Sequence, residues 1–118
     1  MTILWLDDTR NPFSGLWGDY ILRALNWTWF PKGVRIVWTK TFEGFKDVIE
    51  SEFPDIIFFD HDLGQEETGK DCANWLIEYC MDNGKKLPRY LSQSSNPVGK
   101  ENILSILQQY SIHQSKEN

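Results

Sequence analysis

The chain of 118 residues is 41% hydrophobic and 25% charged and carries six tryptophans, a composition that fits one folded domain with one core and excludes disorder. Its net charge of -5, with a pI near 4.9, excludes wrapping of duplex nucleic acid through phosphate contacts, which needs a basic surface. No apolar run approaches the roughly 20 residues that span a bilayer. Asp7, Asp8 and Arg10 interrupt the N-terminus before a signal-peptide core develops, so a cytoplasmic protein with no membrane partner is expected.

Residues 2–7 read as a first strand, with Ile3-Leu4-Trp5-Leu6 running into Asp7-Asp8, and Asn11-Pro12 breaks the chain after it. Between 13 and 33 only Tyr20 to Leu25 looks helical, because Gly15, Gly18 and Pro31-Lys32-Gly33 weaken anything longer. Trp17, Trp27, Trp29 and Phe30 fall in this segment; core filling suits them better than a pocket wall. Val34 to Trp38 alternates as a second strand. Thr41 can cap a helix over 42–52 that places Phe42, Phe45, Val48 and Ile49 on one face, and Pro54 closes it.

Residues 55–60 form a third strand. The run Ile56-Ile57-Phe58-Phe59 is continuous, as in a strand covered on both faces, and it ends in Asp60-His61-Asp62. Leu63 to Thr68 is a polar loop. The clearest helix spans 69–82, where Cys72, Trp75, Leu76, Tyr79 and Cys80 recur at helical spacing, and Asn83-Gly84 ends it. Arg89 to Ser92 is a short fourth strand, Gln93 to Gly99 a loop of small polar residues, and Glu101 to Tyr110 a last helix. Ile103, Ile106, Leu107 and Tyr110 make the inner stripe of that helix, and residues 111–118 are expected to fray. Cys72 and Cys80 are separated by about 12 Å of helical rise, too far for a disulfide, and two cysteines make no zinc box; both are expected as reduced packing residues.

Strands alternating with helices imply a single α/β domain over 1–118, a three-layer sandwich around a parallel four-stranded sheet of order 2-1-3-4. Sites in such sheets gather at the carboxyl ends of the strands, where that order brings Asp7-Asp8 next to Asp60-His61-Asp62. Asp7, Asp8 and Asp60 can give a hard divalent cation, Mg²⁺ or Mn²⁺, two or three oxygens and leave room for water and a phosphate. His61 beside acids is a candidate general acid or base, with Asp62 and Asp60 as its catalytic neighbours. Gln93, Ser94 and Asn96 border the same pocket and offer uncharged donors to phosphate oxygens, and Arg10 either clamps that phosphate or pairs with an acid. Bland readings stand beside these. An Asp pair can cap the next turn or helix, a loop His can be a packing residue, and the Ser, Asn, Pro and Gly of 92–99 can be an ordinary turn plus a helix N-cap. His113, in the tail, reads as a bystander.

The chain resembles the cyclic-phosphate processing receiver domains, a divergent branch of the receiver (response-regulator) fold. The matching pieces are Ile3-Leu4-Trp5-Leu6-Asp7-Asp8 with Arg10 and Pro12, Phe59-Asp60-His61-Asp62-Leu63-Gly64, Gly69-Lys70-Asp71 with Ala73 and Trp75-Leu76, and Ser94 with Asn96-Pro97-Val98-Gly99. The resemblance implies a flavodoxin-like receiver sheet whose pocket is re-tooled for a cyclic nucleotide or terminal cyclic phosphate. It also implies Mg²⁺ at Asp7, Asp8 and Asp60, the last being where ordinary receivers accept a phosphoryl group. Two departures matter. Relatives usually have His where this chain has Gln93, and an amide cannot transfer a proton. The fifth strand with the phosphate-contacting Lys of ordinary receivers has no counterpart here, which disfavours a phosphorelay switch.

Three functions follow as expectations: a metal-dependent phosphoesterase-like enzyme acting on a cyclic phosphate, a module that binds or sequesters a nucleotide (for example a phage-encoded sponge against host defence), or a degenerate receiver acting through an unidentified protein partner.

Overall fold

The computed structural model describes residues 1–117. Eight elements alternate along the chain: β1 (Thr2–Leu6), α1 (Gly15–Ala24), β2 (Arg35–Thr39), α2 (Phe42–Ser51), β3 (Ile56–Phe59), α3 (Gly69–Asn83), β4 (Arg89–Ser92) and α4 (Pro97–Glu117). The four strands form one parallel sheet in the order β2-β1-β3-β4. Ile3 pairs with both Ile36 and Ile56, and Leu6 with both Thr39 and Phe59, so the carboxyl ends of β1, β2 and β3 are level.

The period-2 alternation of strand side chains divides the core in two. Leu4, Leu6, Ile57 and Phe59 face α2, α3 and α4, where Phe45, Ile49, Cys72, Ala73, Leu76, Cys80, Ile103 and Leu107 are buried. Ile3, Trp5, Ile56 and Phe58 face α1, where Ile21 and Leu25 close the second cluster. Burial on both faces explains the unbroken apolar run of β3. Both cysteines are free and packed in the first cluster, and burial raises the thiol pKa of each, that of Cys80 to about 11. Among the described residues, no helix is long and apolar enough to cross a membrane.

The ends of the elements differ from the sequence expectations in instructive places. α1 begins at Gly15, ahead of the expected Tyr20, because the Ser14 hydroxyl accepts from Trp17 N and caps it. The cost of two helical glycines is met by docking: Trp17 and Tyr20 pack with Trp5 and Phe58 at centroid separations of 5.3–6.4 Å. Trp29 is 73% exposed, so it corrects the expectation of core filling there.

Thr41 caps α2 as expected, its hydroxyl accepting from Gly44 N at 3.0 Å. Gly84 ends α3 in the left-handed region at φ 63°. α4 is longer than expected at both ends. It starts at Pro97 behind Asn96, and it continues past Tyr110 to Glu117, because the Gln114 amide is tied down by donating to Lys85 O and accepting from Leu87 N. The helix thus covers residues 111–117 of the tail expected to fray; Asn118 lies outside the described residues. His113 sits on these last turns with its ring centroid 6.3 Å from that of Tyr110, beside α3's end rather than at the strands' carboxyl edge.

Candidate metal and phosphate site

β1 and β3 end on buried carboxylates. Asp7 and Asp60 are buried and Asp8 is half-buried, and oxygens from all three lie within 4.8 Å of one another. Adjacent parallel strands of matched length force this convergence: Asp60 N donates to Leu6 O at 2.9 Å, and Asp7 N to Thr39 O at 3.0 Å. Two indoles pin the loop that follows. Trp38 Nε1 donates to Asp7 O at 2.8 Å, and Trp5 Nε1 to Arg10 O at 2.9 Å.

The three acids differ in what they already hold. Asp7 Oδ1 accepts from Thr9 N at 3.0 Å and Arg10 N at 2.8 Å; its Oδ2 accepts from Arg10 Nη1 and Gln93 Nε2, each at 3.2 Å. With the Thr9 hydroxyl, which donates to Oδ1 at 3.4 Å, these bonds take up its lone pairs. Asp60 Oδ1 accepts from His61 N at 2.9 Å and lies 3.5 Å from Arg10 Nη1. Burial, and then the neighbouring Asp7, push the Asp60 carboxyl up from 3.8 to about 7. A cluster of hard oxygens that repel one another fits a hard divalent cation, and no thiol or imidazole belongs to it. Each of the three offers an oxygen that could hold it; Asp8 and Asp60, less committed to hydrogen bonds than Asp7, would be its direct carboxylate ligands.

Gln93 is only 6% exposed. Its Nε2 donates to Leu6 O at 2.9 Å as well as to Asp7, while its Oε1 is buried without a hydrogen-bond partner. The amide therefore braces the acid loop. Ser94 is also buried, and its hydroxyl accepts from Asn96 N at 3.1 Å. Asn96 Oδ1 accepts from Gly99 N at 3.0 Å, so Asn96 is the N-cap of α4 with Pro97 in the first helical position. The turn-and-cap reading of this loop holds structurally; Asn96 Nδ2 still reaches toward Asp62 Oδ2 at 3.4 Å.

The third strand stops at Phe59, so the backbone turns and Asp60, His61 and Asp62 do not alternate as strand residues. His61 Nδ1 lies 3.0 Å from Asp62 Oδ1. Asp62 is 69% exposed, and the imidazole beside it holds its carboxyl below the usual range. An ionised carboxylate only accepts, so in a neutral imidazole this pairing puts the proton on Nδ1 and leaves Nε2 without one. His61, Asp62 and Asn96 thus form a rim group, and Asp7, Asp8, Asp60, Arg10 and Gln93 a deeper one.

Two functional positions carry no polar atom. A Cβ on Gly69 would overlap the carbonyl of Asp60, and one on Gly99 would overlap the imidazole of His61. Both are helix-start glycines that let a helix press against site backbone or ring, a role that helical periodicity does not reveal.

Comparison with solved structures supports the fold alone. The N-terminal domain of a response regulator/sensory box/GGDEF three-domain protein from Carboxydothermus hydrogenoformans aligns with a TM-score of 0.50 at 19% identity, covering 100% of each chain. A chain in which the trimeric coiled coil of yeast Spc42 is fused to another structure aligns with a TM-score of 0.51 at 23% identity, covering 89% of this chain and 59% of that one. The present chain thus spans about three fifths of that fusion. A comparison with curated proteins finds no match. The family model of the cyclic-phosphate processing receiver domain matches residues 2–109, which includes Asp7, Asp8 and Asp60, the His61 rim and the Gln93–Gly99 loop. With the parallel 2-1-3-4 sheet and the acid cluster at its carboxyl edge, that match places the chain in the cyclic-phosphate processing receiver domain family.

Proposed function

We propose that this domain binds a small cyclic phosphate, such as a cyclic nucleotide, beside a divalent cation and opens the phosphate ring by hydrolysis. The observation that carries the proposal is the meeting of Asp7, Asp8 and Asp60 oxygens within 4.8 Å at the sheet's carboxyl edge. A cation bound there would offset the charge of a phosphoryl group and polarise its oxygens. The chain's own residues do the rest. Water attacks phosphorus and gives up a proton, a ring P–O bond breaks, and the departing alkoxide takes a proton. His61, its Nδ1 anchored by Asp62, takes the water's proton at Nε2 and returns it to the alkoxide. Ser94, Asn96 and the first turn of α4 border the same rim, offering uncharged donors to phosphate oxygens.

The test is incubation with Mg²⁺ or Mn²⁺ and a panel of 2′,3′- and 3′,5′-cyclic nucleotides. The expected result is a linear nucleotide product that His61→Gln and Asp60→Ala each reduce at least a hundredfold. Absence of turnover, or turnover that survives Asp60→Ala, refutes catalysis at this site.

One observation favours binding without turnover. Gln93 is a non-titrating amide whose N–H groups are committed to Leu6 O and Asp7, so proton transfer rests on His61 alone. Calorimetry that shows tight binding, with the nucleotide recovered intact, selects that second function.

A further inference from the structure

The side chain of Arg10 sits where a cation would. Its Nη1 is 3.2 Å from Asp7 Oδ2 and 3.5 Å from Asp60 Oδ1, so one guanidinium spans two of the three clustered carboxylates. Its backbone is held separately. The N–H donates to Asp7 Oδ1 at 2.8 Å, and the carbonyl accepts from Trp5 Nε1 at 2.9 Å. The guanidinium carbon lies 5.2 Å from the Trp17 ring centroid, and the side chain is 22% exposed. Anchored backbone and open side chain together let the guanidinium leave without unfolding the loop. A divalent ion at Asp8 and Asp60 would meet that positive charge at close range, and like charges so placed repel.

We propose that Arg10 is the resident counter-cation of the acid cluster: an entering divalent ion displaces its guanidinium from Asp60, and the freed guanidinium then grips the anion that binds beside the metal. The inference rests on the cation-site proposal above and adds a coupling to it. While Arg10 is paired with Asp7 and Asp60 it has no free fork for a phosphate. Once the metal takes the Asp60 oxygen and its charge turns the guanidinium away from the cluster, the bidentate geometry becomes available. Coupling of this kind is reciprocal, so a phosphate that draws Arg10 outward also opens the acids to the metal. A merely structural Arg10 predicts the opposite sign: its loss would loosen the acid loop and weaken metal binding.

The experiment titrates Mn²⁺ by calorimetry into the wild type, Arg10→Gln and Arg10→Met, each checked for folding by circular dichroism, and then titrates inorganic phosphate with and without Mn²⁺. The account expects Arg10→Gln to bind Mn²⁺ roughly tenfold more tightly, from removal of one positive charge near a divalent ion in a largely solvated site. It expects the enhancement of phosphate binding by Mn²⁺, present in the wild type, to disappear. Arg10 variants with unchanged or weaker Mn²⁺ affinity overturn the counter-cation role while leaving the metal site standing. No Mn²⁺ binding by the wild type or by either variant sinks the metal site and the inference together. Should both variants misfold, tryptophan emission decides with Arg10 in place. The change on Mn²⁺ addition must be lost in Trp17→Phe; a change that persists undiminished shows that the guanidinium does not leave Trp17.

Discussion

Replacing Asp60 by Asn tests the electrostatics of the site without removing its shape. The Asp60 carboxyl ionises near 3.8 in an unfolded chain and near 7 in the fold. Between those values the folded state keeps a proton that the unfolded state has lost, so stability falls as pH rises from about 4 to about 7 and the contribution of the neutral carboxyl is gone above that window. At about 1.36 kcal/mol per pH unit, the shift caps the ionisation penalty at roughly 4 kcal/mol. That shift already includes Arg10; solvent reaching the half-buried Asp8 screens the penalty to about 2 kcal/mol. Asn cannot ionise, and its carbonyl can still accept from His61 N. In buffer stripped of divalent ions, Asp60→Asn is therefore expected to match the wild type near pH 4.5 and to exceed it by about 2 kcal/mol at pH 8, a gain of roughly 6–10 °C in Tm for a chain of this size. Differential scanning calorimetry across pH 4.5–8 measures it. With saturating Mg²⁺ at pH 8 the wild type should recover its deficit and the variant should not. A variant that is less stable at every pH by a constant amount would refute the reasoning, because Asp60 would then be a satisfied structural partner and not a strained acid.

Metal affinity should fall below about pH 7, by close to tenfold per unit, because a proton on Asp60 competes with the cation; affinity flat down to pH 5 contradicts the raised Asp60 carboxyl. Gln93→Ala strips the buried brace from Leu6 O and Asp7 and should cost about 1–3 kcal/mol in urea unfolding, whereas an effect within 0.5 kcal/mol would place no weight on those hydrogen bonds. Gly99→Ala should move the His61 ring, shifting its imidazole NMR signals and cutting any turnover while leaving Mg²⁺ affinity within about twofold, and unshifted ring signals would deny that the helix packs there. Gly69→Ala should destabilise by more than 3 kcal/mol or abolish folding, since its Cβ meets the Asp60 backbone; a wild-type melting curve would contradict that packing.

Much of the architecture was legible in the chain because few signals conflicted. Apolar runs and alternation marked the strands, the i, i+3, i+4 spacing of Cys72, Trp75 and Leu76 marked α3, and β–α alternation left 2-1-3-4 as the order that brings the acids together. The first half of α1 was hidden because glycine propensity argued against it, and tertiary packing of Trp17 and Tyr20 on Trp5 and Phe58 overrides propensity. The last helix outran its apolar stripe because a polar residue, Gln114, anchors the tail. Within the site, residue types disclosed the acids and His61, yet spacing along the chain carries no information on what a side chain turns toward. So the bracing role of Gln93, the spanning position of Arg10 and the need for Gly69 and Gly99 emerge only from the packed structure.

Anomalous diffraction from crystals grown with Mn²⁺ tests most directly whether the meeting acids hold a metal. The account predicts a single strong peak about 2.0–2.3 Å from one oxygen each of Asp8 and Asp60, with Asp7 in the layer behind. A peak elsewhere on the molecule, or an empty cluster at millimolar Mn²⁺ and neutral pH, would contradict it.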